Sequence, residues 1–359
     1  MKIRAITISE LGEFIKSDEY LSMNPLPITP ERAESQRINP YALPNEPVLW
    51  IAHDDRGKLI GFIGSLPAYS YRGSCRMGWN SCWWVDPEKG KDAAMPLFYT
   101  FLKHWDMKVA FSDMTANTSS IADQMDFCYT REEKLFIGYI KLSAKSVYRS
   151  MYKFPRPLLI LLSAPFINLL QSIRISMIGT NLRGMEMEVM EHADSEIFDF
   201  IGRYEKREFS QRGEKEFNWM LRQAWLVKSS DEAKVLAGKY PFSYLCDDFK
   251  WRWIVTRNEK QINSVMLVSI RDGALKVLYY YGDVPGFALL ALKLYISRNR
   301  EIRKIVFSHP DLVANSRMLN SILFFRKSKM RYTAISKKLM EDSRGDVIMQ
   351  LGDGDAIFT

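Results

Sequence analysis

The stretch that decides the fold is residues 82–94, CWWVDPEKGKDAA. Its first part continues an apolar run over residues 81–85, which predicts a β-strand that Asp86 and Pro87 end. Its last part opens a segment in which apolar side chains recur at helical spacing: Leu97, Phe98, Phe101, Leu102 and Trp105. The stretch is therefore a strand, a turn around Gly90 and a helix start. The unpaired backbone N–H groups of such a helix start can bind a pyrophosphate.

The segments on either side complete a mixed α/β domain over residues 1–145. Before the stretch, two apolar runs flank a turn at 54–57, a spacing typical of a β-hairpin, and Thr29-Pro30 is a helix-start signal. After it, the sequence predicts a strand at 109–112, a short helix at 119–125 and a strand at 135–142. This order of elements indicates one domain with a mixed sheet.

Residues 185–359 repeat the same order of elements. The predicted elements are an edge strand at 185–190, helices at 195–207 and 214–225, strands at 251–255, 262–270 and 275–281, a helix at 287–297, a strand at 302–307, a helix at 315–325, and strands at 332–335 and 347–351. Little residue identity links the halves, so the repeat is one of architecture. The predicted fold class is α/β (α+β, mixed sheet), with two tandem domains over residues 1–145 and 185–359.

A short connector, residues 146–184, holds most of the excess positive charge. The chain has a formal net charge of +8, of which residues 1–145 carry −1, residues 146–184 carry +5 with no acidic residue, and residues 185–359 carry +4. The connector's apolar core, residues 157–170, is shorter than the roughly 20 apolar residues that span a bilayer.

Two interpretations of the connector remain open. It is either a buried interdomain helix broken near Pro165, or a segment over 153–174 that lies on an anionic membrane surface. In the second case four cations would sit among the headgroups: Arg149, Lys153, Arg156 and Arg174.

The composition narrows the compartment and the partners. Hydrophobic residues make up 47% and charged residues 26% of the chain, the usual globular balance. The four cysteines and four histidines lack the closely spaced pairs of a zinc site, so no metal is expected. The start of the chain lacks the apolar region of a signal peptide, which favours a cytoplasmic protein, membrane-peripheral if the connector binds lipid. Neither flanking region has the basic excess of a nucleic-acid binder, so no nucleic-acid partner is expected.

Residues 82–94 resemble the acetyl-CoA-binding motif of the GNAT (GCN5-related) N-acetyltransferase superfamily. In that motif a strand ending in Val-x-Pro leads to Arg/Gln-x-x-Gly-x-Gly/Ala at the head of a helix. Val85 and Pro87 match, Lys89 stands at the basic position and Ala94 at the last one. Asp92 replaces the middle glycine, where its charge would repel phosphate. The resemblance implies acetyl-CoA as donor substrate and a donor site formed by Val85, Lys89, Gly90, Lys91, Ala93, Ala94 and Asn117.

A second stretch, residues 117–127, matches the superfamily less completely. There an Asn opens the helix after the next strand, and that helix ends in Gly-Phe. Asn117 and Phe127 fit, whereas Asp126 replaces the Gly. The Tyr that commonly lies five residues before this Phe, and protonates the departing thiolate, is Ala122 here. The resemblance therefore leaves the general acid missing, or replaced by a neighbour such as Tyr129.

The sequence assigns no catalytic residue. In acyl transfer a base must take the proton of the attacking amine. Asp113, Glu132 and Glu133 are candidates, although each also fits an ordinary surface carboxylate. The tetrahedral oxyanion needs a backbone N–H donor, which the resemblance places on the split strand near Val85.

Features of the second half each have a plain structural interpretation beside a functional one. The turn 281–286 is either a helix start or a phosphate site, and Tyr279 to Tyr281 either pack in a strand or line an acceptor pocket. His309 either ends a strand or acts as a base. Arg326 to Lys329 form either a solvated turn or an anion site.

Three functions follow from these features. The first is a CoA-dependent N-acyltransferase with tandem GNAT-like domains, an arrangement similar to that of the Fem-type enzymes. Its acceptor would be a small-molecule or glycan-precursor amine such as an amino sugar. The second is a degenerate tandem protein that binds a ligand without catalysis, which Asp92 and Ala122 favour. The third is a membrane-surface aminoacyltransferase that uses charged tRNA, against which residues 185–359 lack a dominant basic block.

Overall fold

The computed structural model describes residues 1–70, 75–142, 157–176, 184–204, 207–210, 212–340 and 347–359. These residues form two compact units, each assembled from segments that are distant in the sequence. Unit 1 comprises Met1–Glu132, Gly202–Asp247 and Arg331–Thr359. Unit 2 comprises Glu133–Ile201 and Asp248–Met330.

The described part of the chain contains fourteen strands and twelve α-helices. The strands are β1 (Lys2–Thr7), β2 (Pro47–His53), β3 (Leu59–Tyr69), β4 (Arg76–Val85), β5 (Val109–Met114), β6 (Cys128–Tyr139), β7 (Met185–Met190), β8 (Val227–Lys228), β9 (Leu245–Cys246), β10 (Phe249–Asn258), β11 (Gln261–Arg271), β12 (Ala274–Gly282), β13 (Lys304–Phe307) and β14 (Phe325–Ser336). The helices are α1 (Leu11–Phe14), α2 (Asp18–Ser22), α3 (Pro30–Arg37), α4 (Lys91–His104), α5 (Ala116–Gln124), α6 (Pro157–Ser176), α7 (Ser195–Gly202), α8 (Glu214–Arg222), α9 (Asp231–Lys239), α10 (Pro285–Arg298), α11 (Pro310–Ala314) and α12 (Lys337–Met340).

Unit 1 is built on a sheet in the order β1-β2-β3-β4-β5, and the end of β14 adds beside β5. Neighbouring strands are antiparallel except for β4 and β5, which are parallel. The predicted β2–β3 hairpin forms because Asp54 Oδ1 accepts the N–H groups of Arg56 and Lys58. Gly57 completes that turn with a φ of 78°, a conformation that glycine adopts without strain.

Helix α4 packs its predicted apolar stripe against the sheet of unit 1. Its buried residues are Ala93, Leu97, Phe98, Phe101 and Leu102. Trp83 stacks on Phe98 with 4.9 Å between ring centroids, and Trp84 stacks on Phe62 at 5.5 Å. Because successive strand residues face opposite sides of a sheet, this tryptophan pair packs both faces of β4.

Unit 2 has its own sheet, in the order β6-β13-β12-β11-β10-β7. Strands β12 and β13 are parallel, and the other neighbouring pairs are antiparallel. Glu259 and Lys260 join β10 to β11 with φ values of 49° and 69°, which is the geometry of a tight hairpin turn. Helix α10 covers the sheet with a broad apolar surface: Ala288, Leu289, Ala291, Leu292, Leu294, Tyr295 and Ile296.

The two halves of the sequence exchange their last strands. The first half runs β2-β3-β4-α4-β5-α5-β6, and the second half repeats this order as β10-β11-β12-α10-β13-α11-β14. However, β6 pairs with β13 in unit 2, and the end of β14 pairs with β5 in unit 1. The compact units therefore do not follow the predicted limits 1–145, 146–184 and 185–359, because strand pairing is decided by tertiary contacts and not by chain order.

Three predicted elements in the second half are wrong. Residues 315–325 are not one helix but a turn after α11, a 3₁₀ helix at Ser316–Leu319 and a second turn that leads into β14 at Phe325. Residues 326–329 are not a solvated turn but the exposed start of β14. Residues 347–351 form no strand beyond a single bridge of Ile348 with Glu208, in which the Ile348 backbone bonds to Arg207 and Phe209. Side-chain bonds from Arg331 and Asp353 hold the neighbouring Gln350.

The connector contains helix α6, which continues through Pro165. The predicted break at this residue is wrong, since a proline removes only one helical N–H bond and the chain on both sides keeps its helical spacing. Arg149, Lys153 and Arg156 lie outside the described residues. Within the described part of the chain, no helix is long and apolar enough to cross a membrane.

Candidate functional site

A cleft in unit 1 opens where β4 and β5 stop pairing. The two strands pair through Gly78 with Val109 and Trp79 with Ala110. Beyond these pairs lies a cavity of about 330 Å³. The residues that line it are Asn80, Ser81, Cys82, Trp83, Phe111, Ser112, Asp113, Met114, Thr115, Thr118, Phe242 and Asp355. Its polar lining consists of hydroxyls, an amide and two carboxylates.

A β-bulge at Ser81 shapes the β4 wall of this cleft. Cys82 lies opposite Gly64 and Asn80 opposite Ser65, so Ser81 has no residue opposite it. The Asn80 side chain holds the bulge by donating to the carbonyls of Gly64 (3.3 Å) and Cys82 (3.2 Å). Bulges remove a backbone group from the ladder and are frequent beside active sites. Here the bulge sets the backbone of Ser81 apart from the β3–β4 ladder in the wall of the cleft.

A buried arginine ties the bulge to the acidic side of the cleft. Arg32 is 5% exposed, and its Nη1 donates to the Ser81 carbonyl oxygen at 3.4 Å. Its Nη2 lies 3.6 Å from an Asp355 carboxylate oxygen, and its guanidinium lies 4.2 Å over the Trp225 ring. A buried charge is stable only when it is paired and hydrogen-bonded. Arg32 therefore fixes both the bulge and Asp355.

Burial also sets the state of the thiol at the bulge. Cys82 lies in the cleft wall, and burial raises the pKa of its thiol to about 11, while the nearby Arg32 acts in the opposite direction. The thiol is thus protonated at neutral pH and is a poor nucleophile. We assign Cys82 no role in covalent chemistry.

A buried polar network supports the β5 wall. Arg331 donates to the Ser112 carbonyl (Nε, 2.9 Å) and to the Gln350 carbonyl (3.3 Å). Gln350 Nε2 donates to Glu208 at 3.1 Å, and burial first, then the charge of Asp353, raises the pKa of Glu208 well above its usual value. The network anchors residues 347–359 beside β5, which brings Asp355 to the cleft.

The predicted donor turn follows β4, but a carboxylate already occupies part of it. Val85 is the last residue of β4. Asp86 Oδ1 accepts the backbone N–H groups of Glu88 (2.9 Å) and Lys89 (3.0 Å), and these bonds lower the pKa of Asp86. The amides that a pyrophosphate would use are therefore partly satisfied within the turn.

The other predicted donor residues divide between core and surface. A Cβ at Gly90 would lie 2.5 Å from the Asp86 nitrogen and the Ile60 oxygen, so this glycine serves close backbone packing. Ala93, in the first turn of α4, is fully buried. Ala94 is half-buried, and Lys91 is exposed in the first helical turn.

Helix α5 begins at a hydroxyl cap beside the cleft. Thr115 Oγ1 accepts the N–H of Thr118 at 3.2 Å. Asn117 lies in the first turn of α5, and its side chain is outside the described part. Ala122, at the position of the superfamily's tyrosine, is buried in the core. Asp126 has a φ of 51°, so it takes the left-handed conformation that the superfamily's glycine supplies.

Of the candidate acid and the three candidate bases, one base lines the cleft. Tyr129 is 51% exposed, with Lys337 5.8 Å from its ring centroid, and it does not line the cleft. Asp113 lines the cleft, whereas Glu132 and Glu133 do not. Sequence reasoning missed Arg32 and Asp355. For Arg32, the Thr29-Pro30 helix start shortly before it predicts a position in the first turn of a helix but no role in a site.

Two features of the second half lie in packed surroundings. Tyr279, Tyr280 and Tyr281 are each at most 1% exposed, as expected for strand packing. The ring of His309 is edge-on to Tyr280 at 4.8 Å, and His309 Nδ1 lies 3.9 Å from Asp311. No cluster of three metal-ligating side chains occurs among the described residues.

Comparisons with known proteins address the fold. No protein-family model matches the chain, and no curated protein matches its sequence. A conserved protein of unknown function from Enterococcus faecalis, described as a probable N-acyltransferase, superposes with a TM-score of 0.50 at 11% identity, over 94% of this chain and 73% of its own. A putative acetyltransferase from Pyrococcus horikoshii gives 0.49 at 10% identity, over 98% and 95%. A GCN5-related N-acetyltransferase from Anabaena variabilis gives 0.48 at 10%, over 93% and 71%.

The chain therefore shares its fold with the probable N-acyltransferase from Enterococcus faecalis, and residues 82–94 predict an acyltransferase fold. The parallel β4–β5 pair and the helix that follows β4 are the elements on which this prediction rests. At these identities the likeness concerns the fold alone.

Proposed function

We propose that the protein is an acyltransferase that moves an acyl group from a CoA thioester to an amine in the cleft of unit 1. The observation that carries this proposal is the separation of β4 from β5 beyond Trp79, with the bulge at Ser81 facing a polar cavity of about 330 Å³. This arrangement would place the main chain of the β4 bulge and two carboxylates in one cleft, and acyl transfer needs a donor for the oxyanion and a base for the amine.

The donor would enter along β4, with its phosphates at the start of α4. The N–H groups of Lys91 and Asp92 belong to the first turn, which a helix cannot pair internally. Lys89 and Lys91 add positive charge, whereas Asp86 and Asp92 oppose it. We therefore expect acetyl-CoA to bind with modest affinity, through two amides rather than a full phosphate cradle.

The acceptor would be an amine with an apolar or ring-shaped body. Among the described residues, no Lys, Arg or His lines the cleft, whereas Asp113 and Asp355 do. Their charge attracts a protonated amine, and the aromatic walls formed by Trp83, Phe111 and Phe242 suit a sugar ring or an apolar chain. An amino sugar or another small glycan-precursor amine fits both features.

The reaction needs one proton to leave the amine and one to reach the thiolate. The amine nitrogen attacks the thioester carbonyl, the C–S bond breaks, and the tetrahedral oxyanion is held by the main-chain donor of the bulge. We assign proton uptake to Asp113, because Asp355 is committed to Arg32. Since Ala122 offers no acid, the thiolate would take its proton from solvent.

The test is calorimetric titration of the full chain with acetyl-CoA. We expect micromolar to submillimolar binding that Ala94→Trp abolishes, because the indole would fill the donor turn. Tyr99→Trp is the matched control, since Tyr99 is 57% exposed on the same helix. No binding at millimolar acetyl-CoA would refute the CoA enzyme.

Activity is then measured as release of CoA thiol with a panel of amines that includes glucosamine. Asp113→Asn should lower kcat at neutral pH, while acetyl-CoA binding stays intact. A wild-type kcat in this variant would exclude Asp113 as the base.

A non-catalytic binding protein is the second candidate. The bonds from Glu88 and Lys89 to Asp86, and the buried Ala122, favour it. Under this alternative, an amine ligand would bind in the cleft without thiol release from acetyl-CoA.

For the compartment, we propose a reducing one such as the cytoplasm, because all four cysteines are buried thiols.

A further inference from the structure

Helix α6 is fixed to unit 2 by one of its faces. Gln171 is buried and donates to the Ile322 carbonyl at 2.7 Å. Asn168 exchanges two 2.8 Å hydrogen bonds with the backbone of Leu142. Ala164 and Ile175 are buried on the same side. The orientation of the helix is therefore set by contacts along three turns.

The opposite face of α6 carries an exposed apolar stripe. Phe166 is 64%, Leu169 57%, Leu170 51% and Ile173 43% exposed. These positions have the i, i+3, i+4, i+7 spacing that places side chains on one helix face. A contiguous exposed patch of large apolar side chains marks a surface that meets a partner or a membrane.

A basic pocket continues from this stripe. Arg174, exposed on the flank of α6, reaches the Asn320 carbonyl at 3.5 Å. The side-chain oxygen of Asn320 accepts from Arg326 at 3.1 Å. Arg326 belongs to a pocket of about 430 Å³ whose lining is Lys134, Phe136, Val313, Ala314, Ser316, Arg317, Arg326, Lys327 and Ser328. In the part of the chain that the structure describes, four cations and no carboxylate line this pocket.

We propose that this surface of unit 2 docks on a membrane that contains anionic phospholipids. Helix α6 would lie parallel to the surface, with its stripe in the acyl-chain boundary and Arg174 at the level of the phosphates. The pocket would take a phospholipid headgroup, because its cations have no acidic neighbour in the lining to neutralise them. The proposal does not depend on acyl transfer in unit 1.

Charge and apolar character together select this occupant over two others. A nucleic acid would satisfy the cations but would leave the four apolar side chains of the stripe in water. A second copy of the chain, joined through a two-fold contact, would bury the stripe but place two basic pockets near each other, which is unfavourable. An anionic bilayer satisfies both parts of the surface.

The experiment is flotation of the full chain with vesicles of phosphatidylcholine alone or with 30% phosphatidylglycerol added. We expect binding to the anionic vesicles at low salt, at least tenfold weaker binding to phosphatidylcholine alone, and loss of binding as salt rises. Wild-type protein that fails to float with anionic vesicles at low salt would overturn the proposal.

Two pairs of variants separate the stripe from the pocket. Leu169→Glu with Leu170→Glu should lower binding at least tenfold, whereas Val235→Glu, at a residue 64% exposed in unit 1, should not. Lys327→Glu should lower binding about fivefold or more, since one cation near such a surface contributes about 1 kcal/mol and its reversal more. Lys234→Glu, at a side chain 59% exposed in unit 1, is its control.

Circular dichroism and the thermal midpoint verify that each variant folds, because all the changed side chains are exposed. Wild-type binding by the double stripe variant would overturn the proposal. A wild-type protein that does not float but forms a dimer in sedimentation velocity, which the double stripe variant dissociates, would also overturn the proposal.

Discussion

A methyl group added at Gly90 should loosen the junction between β4 and α4. The backbone of Gly90, with φ −88° and ψ −3°, suits alanine. The added Cβ, however, would lie 2.5 Å from the Asp86 nitrogen, 2.5 Å from the Ile60 oxygen and 2.7 Å from the Asp86 oxygen. All three are backbone atoms of the sheet and turn, so they cannot move away as a flexible side chain would.

The magnitude follows from two opposing effects. Forcing an extra carbon into a packed site costs about 1–3 kcal/mol. Replacing glycine with alanine restricts the unfolded chain and returns roughly 0.4–1 kcal/mol. Gly90→Ala should therefore destabilise unit 1 by about 1–2 kcal/mol. Gly238→Ala is the matched control, since among the described residues no atom beyond its chain neighbours and the backbone of its own helix α9 lies within 4 Å of the added Cβ, and it should gain roughly 0.5 kcal/mol.

Urea unfolding followed by tryptophan fluorescence measures both variants. Seven of the nine tryptophans belong to unit 1: Trp50, Trp79, Trp83, Trp84, Trp105, Trp219 and Trp225. The midpoint should fall for Gly90→Ala and rise slightly for Gly238→Ala, with unchanged slopes. If Gly90→Ala keeps wild-type stability but loses acetyl-CoA binding, the glycine serves phosphate contact and the packing argument is refuted.

Three further predictions concern protonation, thiol reactivity and core packing. Because the pKa of Glu208 is raised from 4.5, the fold keeps a proton that the unfolded chain releases, so unfolding free energy should fall as pH rises above about 4.5; Glu208→Gln should flatten this slope in urea titrations. Burial raises the thiol pKa of Cys82 and Cys128 to about 11, so mass spectrometry should show slow alkylation by iodoacetamide at pH 8, and rapid native labelling would contradict their burial. Leu292→Ala in unit 2 should cost about 2–5 kcal/mol in thermal unfolding, against about 0.5 kcal/mol or less for the exposed Val235→Ala; equal effects would contradict the assigned core.

Local chemistry explains which parts of the fold the sequence predicts. Thr29 accepts the N–H of Arg32 and Pro30 occupies the first helical position, as their order in the chain predicts. The Asp54 turn and the apolar stripe of α4 depend on neighbours within a few residues, so the sequence alone also predicts them. The turn between the strand end at Val85 and the helix start at Lys91 is predictable for the same reason.

The cleft itself depends on contacts that no local pattern carries. Arg32 and Asp355 are 323 positions apart in the sequence. The bulge at Ser81 is visible only in the pairing with β3. Asp126 looks like a departure from the superfamily pattern, yet its φ of 51° shows that an aspartate can take the conformation of the absent glycine.

The exchange of last strands has a consequence for synthesis on the ribosome. Ser112 on β5 and Arg331, which binds its carbonyl, are 219 residues apart. At roughly 5–20 residues per second, about ten to forty seconds separate their translation. During that interval β5 has an open edge, where another chain could pair. Completion of the cleft in unit 1 is therefore timed by the arrival of β14, and premature termination before residue 331 would leave a sheet edge prone to aggregation.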